Sequence, residues 1–233
     1  MKRFYETVGI EKSNDGYRLT LDGRPVRTPG RRDLVLPSCA LADAVGAEWD
    51  AQGETVDPTG MPNMSLAATG IDRVAPQRED VIAGIAAFAK SDLLCYRTEK
   101  PAELAARQHA SWQPLLDWCA VTFNAPLSIT TGLFPVTQPT ESVQGLRNIV
   151  ATFDDLPLAG LHEITSLSGS LVIALAVVEG RITAGEGVDA ARLDETYQIE
   201  RWGEDGDAMA RRSNICRDFL AAVEFLRLCS VLN

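Results

Sequence analysis

The sequence predicts an α+β protein that is mostly α: a small N-terminal antiparallel β region packed with helices, followed by an all-α C-terminal domain. Two observations lead to this prediction. Alternating apolar and polar residues with frequent turn signals fill residues 1–37, and helical spacing of apolar residues begins at Ser38. With 233 residues and 45% hydrophobic content, the chain can form a substantial core in one large domain or two small ones.

The β region is predicted from alternation and from turn residues. Tyr17, Leu19 and Leu21 alternate with polar residues, as in a half-buried strand. Asp22-Gly23 predicts a tight hairpin turn, because both central positions of that turn need positive φ. Such short strands bury little apolar surface alone, so helices must cover one face of the sheet. The strands are predicted near residues 4–10, 16–21, 24–28 and 33–36.

The first predicted helix follows directly after the strands. Ser38 can cap it, and its apolar stripe is Leu41, Val45 and Trp49. Because the stripe becomes polar toward its end, Trp49 is either a core anchor or an aromatic contact at an interface. A second helical segment is predicted near residues 78–90.

A change of pattern near the middle of the chain suggests a domain boundary. Residues 92–96 are predicted as a short strand or an extended linker, and Pro101 then opens a helix that Pro114 should kink or split. A stretch rich in proline comes next and predicts a loop. We therefore expect a β-rich N-terminal region with helices over residues 1–124 and a helical C-terminal domain over residues 125–233.

The C-terminal domain is predicted to contain four helices. Thr183 and Glu186 have capping-box spacing, which fixes the start of the third helix. The apolar run from Leu167 to Val178 is much shorter than the roughly 20 residues that span a membrane, so it predicts a buried helix and no membrane span. The four helices are predicted near residues 141–153, 158–179, 184–204 and 207–230.

Charge and cysteine content narrow the classes of partner and compartment. A net charge of −10 argues against nucleic acid or anionic lipid as the main partner and favours a neutral or basic one. Five cysteines without C-x-x-C spacing indicate neither a disulfide framework nor a zinc site, and they favour a reducing compartment. The N-terminus resembles neither a signal peptide nor a presequence, so we expect a cytosolic or already processed chain.

Motifs that would indicate catalysis are missing from the sequence. It contains no phosphate-binding loop, no dinucleotide fingerprint and no nucleophile elbow. His162-Glu163 begins like a zinc-protease motif, but Ser166 stands where the second histidine ligand is needed. The only other histidine is His109. These observations predict a protein that is not an enzyme and that needs no metal and no cofactor.

One carboxylate lies in an unusual position of the predicted third C-terminal helix. On a continuous helix with about 100° per residue, Glu195 falls in an apolar stripe with Ala191, Ile199 and Trp202, while Tyr197 falls on the other side. Burying a carboxylate without a partner is costly. Glu195 therefore either pairs with an internal Arg or Lys or contacts a ligand or a protein.

Several ordered motifs give the sequence a resemblance to a known family. It resembles the ATP synthase assembly chaperones that bind the alpha subunit of the catalytic head, found in mitochondria and in some bacteria. Several separate motifs in one order are more specific than any single one. The matching stretches are residues 21–29, 48–52, 61–62, 69–72, 92–97, 112–114 and 194–203.

The resemblance implies a chaperone that binds unassembled alpha subunit and shields its beta-facing interface until the beta subunit replaces it. An acidic residue that matters for function in the family maps onto Asp194 or Glu195, and the helical pattern favours Glu195. The predicted client-binding residues are Glu195, Asp194, Trp49, Trp202 and Glu200. We expect a monomer in the bacterial cytoplasm, with the mitochondrial matrix as the location of eukaryotic relatives.

An alternative is a small-molecule enzyme that uses carboxylates of the 194–204 segment. Glu195, Glu200 and Glu204 are its candidate residues, and the last two share a helix face at i, i+4 spacing. Such spacing is common on solvated helices, so it is weak support for catalysis.

Overall fold

The computed structural model describes residues 2–131, 135–203 and 206–230. The described residues fall into two compact units. The first unit is discontinuous in sequence, and the predicted domain boundary between residues 124 and 125 stays a prediction. The first unit takes its residues from Met1–Arg78, Asp154–Gly160 and Ala221–Asn233, and the second from Glu79–Phe153 and Leu161–Leu220.

A small antiparallel sheet occupies the first unit, as the sequence predicts. Its strands are β1 (Val8–Ser13), β2 (Gly16–Leu21), β3 (Arg24–Pro25) and β4 (Val35–Leu36). The central strand β2 pairs with each of the others. Asp22 and Gly23 have φ angles of 50° and 75°, which confirms the predicted turn. The first strand begins later than predicted, at Val8.

Helices α1 (Cys39–Asp50) and α2 (Pro62–Thr69) complete the core of the first unit. Ser38 caps α1, because its hydroxyl accepts a hydrogen bond of 3.0 Å from the N–H of Leu41. The predicted stripe faces the core: Leu41 and Val45 are fully buried. A π-helical turn, Gly70–Val74, follows α2.

The remaining described helices belong mainly to the second unit, and α3, α6 and α10 also contribute residues to the first. Helix α4 contains Pro114 but continues through it, so the predicted split is wrong. Two short strands, β5 (Tyr96–Arg97) and β6 (Thr130–Thr131), pair in parallel. The helices are α3 (Arg78–Ala87), α4 (Ala102–Phe123), α5 (Thr140–Val150), α6 (Asp155–Ser168), α7 (Leu171–Val178), α8 (Ala184–Ala191), α9 (Leu193–Trp202) and α10 (Gly206–Leu228).

Two helices that the sequence predicts as continuous are interrupted. The predicted 158–179 helix breaks at Gly169, which has a φ of 69°, and Ser170 then caps α7. The predicted 184–204 helix breaks at Arg192, which has a φ of −109°. The capping box of Thr183 and Glu186 is present at the start of α8. None of the helices in the described part of the chain is long and apolar enough to cross a membrane.

Candidate functional site

Two of the sequence motifs meet around Arg97 in the second unit. The Arg97 guanidinium donates hydrogen bonds of 2.7 Å to the carbonyl oxygens of Leu94 and Gln108. It also lies over the Trp112 ring, 5.1 Å from the centroid. The Trp112 indole N–H donates to the carbonyl oxygen of Ala190 at 2.9 Å. Buried hydrogen bonds therefore join α4 to the end of α8 and fix the start of α9.

Helix α9 is anchored to α4 by its buried face. The Gln108 side chain donates a hydrogen bond of 2.8 Å to the Asp194 carboxylate. Tyr197 is only 2% exposed. The guanidinium groups of Arg107 and Arg201 lie 5.2 and 5.1 Å from the centroid of its ring, close enough for cation–π attraction. Asp194 and Tyr197 are therefore structural contacts of α9.

Ion pairs flank Tyr197 at the surface. Arg107 pairs with Glu200 at 2.6 Å and with Glu103 at 3.0 Å, and Arg201 also pairs with Glu103. The hydrogen bond from Arg201 is the main reason that the pKa of Glu103 lies below its usual range. These groups are largely solvated, so the single pairs add little stability. Their main effect is to hold the position of α9 along α4.

The predicted apolar stripe around Glu195 is wrong. It assumed one helix through Arg192, whereas the chain breaks there and α9 turns Tyr197 inward. Trp202, which the stripe would bury, is 78% exposed. The Glu195 side chain is 38% exposed, and its Oε2 lies 3.9 Å from Arg192 Nη1. That oxygen is buried and accepts no hydrogen bond from any described residue, so Glu195 has one distant charged partner and one acceptor that is unsatisfied and shielded from solvent.

Trp49 belongs to the core of the first unit. Its side chain is 9% exposed and packs edge-on against Tyr5, with ring centroids 5.6 Å apart. The Tyr5 hydroxyl donates to the Trp49 carbonyl oxygen at 2.5 Å. The neighbouring Glu48 accepts hydrogen bonds from the backbone N–H groups of Asn63 and Met64 at the start of α2. The motif around Trp49 therefore holds α1 and α2 together, which agrees with the core alternative.

Asp92 is a carboxylate whose structural role we did not predict. It is fully buried and accepts hydrogen bonds from the Ser170 hydroxyl at 2.7 Å and from the N–H groups of Leu94 and Val172 at 3.1 Å. Burial raises its pKa to about 6, although these hydrogen bonds favour the charged form. The sequence signal for this role was the position of Asp92 directly before Leu93-Leu94, where an aspartate can cap a short helical turn.

Comparison with known proteins decides the family. Residues 2–120, just over half of the chain, match the model of the ATP12 chaperone protein family. The chain belongs to the ATP12 chaperone family. Membership supports the coarser part of the predicted role, a chaperone in ATP synthase assembly.

Similar proteins cover nearly the whole of this ATP12 family member. Atp12 from Paracoccus denitrificans is 41% identical, with 98% of each chain covered and a TM-score of 0.93. A candidate chaperone from Agrobacterium tumefaciens is 40% identical over 97% of this chain and 85% of its own, also with a TM-score of 0.93. Mitochondrial protein atp12 from Schizosaccharomyces pombe is 24% identical over 98% of this chain and 82% of its own length. These matches confirm the predicted fold class.

A cavity of about 550 Å³ lies beside the anchored α9 of this ATP12 protein. Arg107, Asp189, Leu193 and Thr196 are among its lining residues, whereas Glu195 and Glu200 are not. Glu204, the third residue of the enzyme alternative, lies outside the described residues. Within the described ranges, no group of three His, Cys, Asp or Glu side chains could hold a metal ion.

Proposed function

We propose that this protein binds the unassembled alpha subunit of the ATP synthase catalytic head and shields the surface that later faces the beta subunit. The beta subunit then displaces it. In this proposal the protein acts as a monomer in the bacterial cytoplasm, by binding alone and without a cofactor. Family membership supports the class of function, and the exposed Trp202 on an anchored helix supports α9 as the contact surface.

The anchored position of α9 and its exposed tryptophan favour recognition of a protein. Tyr197 and Asp194 bind the helix to α4, so α9 is held in place before a client arrives. Trp202 is nevertheless 78% exposed at the end of the helix. A large exposed aromatic ring on a rigid element can bury much apolar area at little entropic cost, which is why tryptophan is enriched at binding hot spots.

The charges on α9 favour a client surface that is neutral or basic. The Glu195 side chain is partly exposed, and its buried Oε2 accepts no hydrogen bond from the described residues. Glu200 is exposed and already paired with Arg107. In a chain with a net charge of −10, these groups can accept hydrogen bonds from a client without repelling it only if the client is not acidic.

The test is reconstitution from purified parts. Isolated alpha subunit and this protein are mixed at micromolar concentration and separated by size exclusion, and we expect a shared peak. Adding beta subunit should release the chaperone while alpha and beta elute together. Separate elution of alpha and this protein would contradict the proposal.

The matched control is the assembled catalytic head. Its alpha subunits already contact beta, so the surface that the chaperone would cover is occupied. We expect no co-elution with the assembled head. Equal binding to free alpha and to the assembled head would contradict shielding of the beta-facing surface.

A further inference from the structure

We propose that the first unit carries a second contact surface for the client, a groove that binds a polypeptide segment in which an apolar side chain adjoins a carboxylate. This proposal rests on the proposed function, because it takes the occupant to be a segment of the protein client. The groove lies between the N-terminal segment and the turn from β2 to β3. Its volume is about 520 Å³.

Aromatic and aliphatic side chains form the apolar part of the groove. Phe4, Tyr5, Pro25, Val26 and Trp49 are among its lining residues. Phe4 is 62% exposed, and its ring packs edge-on against Tyr5 with a centroid distance of 5.4 Å. An exposed aromatic residue held beside a buried one is suited to cover an apolar side chain of a partner.

Trp49, which lines the groove, has a buried hydrogen-bond donor without an acceptor. The indole Nε1 of Trp49 is buried and donates to none of the described residues. A buried N–H without an acceptor is unfavourable, and the great majority of such groups in proteins are paired. Because this nitrogen is shielded from solvent in the free protein, an oxygen of the occupant would satisfy it only by displacing a side chain that covers it.

Two arginines make the rim of the groove basic in an acidic protein. Arg24 is exposed and forms neither an ion pair nor a side-chain hydrogen bond with the described residues, although its charge acts on the nearby Asp22 carboxylate. The Arg27 side chain is 66% exposed and forms a long ion pair with Asp33, with 3.8 Å between Nε and the carboxylate. Asp22 also lines the groove, but it accepts hydrogen bonds from the N–H groups of Glu6 and Thr7. Charge complementarity therefore favours a carboxylate of the occupant.

The first experiment removes the two rim charges. The double variant Arg24→Ala/Arg27→Ala is titrated against labelled, isolated alpha subunit by fluorescence anisotropy. The control is Lys12→Ala/Arg73→Ala, which removes two exposed charges from the same unit and gives the same net charge. We expect the rim variant to bind about tenfold more weakly, and the control to stay within about twofold of the wild type. Equal affinities for the two double variants would overturn the proposal.

The second experiment identifies the occupant. Phe4 is replaced with the photo-crosslinking amino acid p-benzoylphenylalanine, and cross-linked peptides are identified by mass spectrometry. We expect an alpha-subunit segment in which Asp or Glu adjoins an apolar residue. A crosslink to a second copy of this chain, to a segment without a carboxylate, or to nothing would overturn the proposal.

The third measurement separates a protein segment from a small anion. The indole N–H signal of Trp49, assigned with Trp49→Phe, is followed by NMR in the ¹⁵N-labelled protein. We expect a downfield shift when alpha subunit is added and none with millimolar inorganic phosphate. A shift with phosphate alone would assign an anion site and overturn the proposal.

The two proposals fail in different ways. If wild-type protein does not bind alpha subunit, the proposed function fails and the second contact surface fails with it. If wild-type protein binds and Trp202→Ala weakens binding, but Arg24→Ala/Arg27→Ala does not, only the second contact surface is wrong.

Discussion

Two carboxylates from the matching motifs, Asp92 in contact with the start of α7 and Glu195 on α9, have opposite surroundings. Asp92 at α7 is fully buried and accepts hydrogen bonds from a hydroxyl and from backbone N–H groups. Glu195 at α9 is partly exposed and has one distant arginine partner. Internal donors make the first carboxylate part of the fold. The second has a partly exposed side chain and one unsatisfied oxygen, and in our proposal a partner contacts it.

The strongest way to break this comparison is to remove Asp92. In Asp92→Ala, the Ser170 hydroxyl and the N–H groups of Leu94 and Val172 lose their acceptor inside the protein. Each unsatisfied buried group costs about 1–3 kcal/mol, so we expect unfolding free energy to fall by about 3 kcal/mol or more. Urea denaturation followed by circular dichroism measures the change. The exposed Glu99→Ala should stay within about 0.5 kcal/mol of the wild type.

The pH dependence of the Asp92→Ala effect sharpens the comparison. Burial raises the pKa of Asp92 to about 6 in the folded protein, from an ordinary value of 3.8. The folded state thus binds this proton more tightly than the unfolded chain does. The stabilising effect of protonated Asp92 is therefore complete below about pH 4 and is lost as pH rises through about 6. The loss of unfolding free energy caused by Asp92→Ala should be up to about 3 kcal/mol larger at pH 4 than at pH 7.

Denaturation curves of both proteins across this pH range provide the measurement. The core variant Leu175→Ala removes a fully buried side chain that does not titrate. Its cost should therefore be the same at both pH values. A cost of Asp92→Ala that is equal at both pH values, or larger at pH 7, would contradict the raised pKa.

Trp202→Ala tests the exposed side of α9. The ring is solvated in the free protein, so we expect stability to change by less than about 0.5 kcal/mol. Loss of a binding hot spot should weaken alpha-subunit binding by about 2 kcal/mol. Anisotropy titration and urea denaturation measure the two effects. Val121→Ala, which removes another exposed apolar side chain of the second unit, should leave binding unchanged.

Of these variants, Glu195→Gln should have the smallest effect on alpha-subunit binding and stability. The amide keeps the shape of the side chain but removes the charge, so any hydrogen bond from a client becomes a neutral one. We expect binding to weaken by about 1 kcal/mol and stability to change by less than about 0.5 kcal/mol. The same titrations provide the measurement. Unfolding of Glu195→Gln would show instead that the pair with Arg192 is structural.

Local signals made much of the fold predictable. The turn at Asp22-Gly23 and the caps at Ser38 and Thr183 depend on residues close in sequence, and all three are confirmed. The breaks at Gly169 and Arg192 were missed. At the first, a buried carboxylate 78 residues away, Asp92, binds Ser170 and favours a new helix start there. Such a contact leaves no periodic pattern in the sequence.

The location of the candidate site stays a prediction, and the orientation of its side chains could not be predicted from the sequence. The segment from Asp194 to Trp202 was identified from the sequence, but the helical wheel placed the wrong face inward. The helical wheel assumed an unbroken helix. It could not include the hydrogen bond from Gln108 to Asp194 or the cation–π contacts of two arginines with the Tyr197 ring. A change of helix phase by one break exchanges buried and exposed residues.

The anchoring of α9 by one face has a consequence for how such a chaperone can diversify. Asp194 and Tyr197 contact α4, whereas Gln198 and Trp202 are exposed to solvent. Substitutions on the outer face can accumulate at almost no thermodynamic cost. Under the proposed function, this face can thereby follow changes in the client across lineages while the scaffold stays the same.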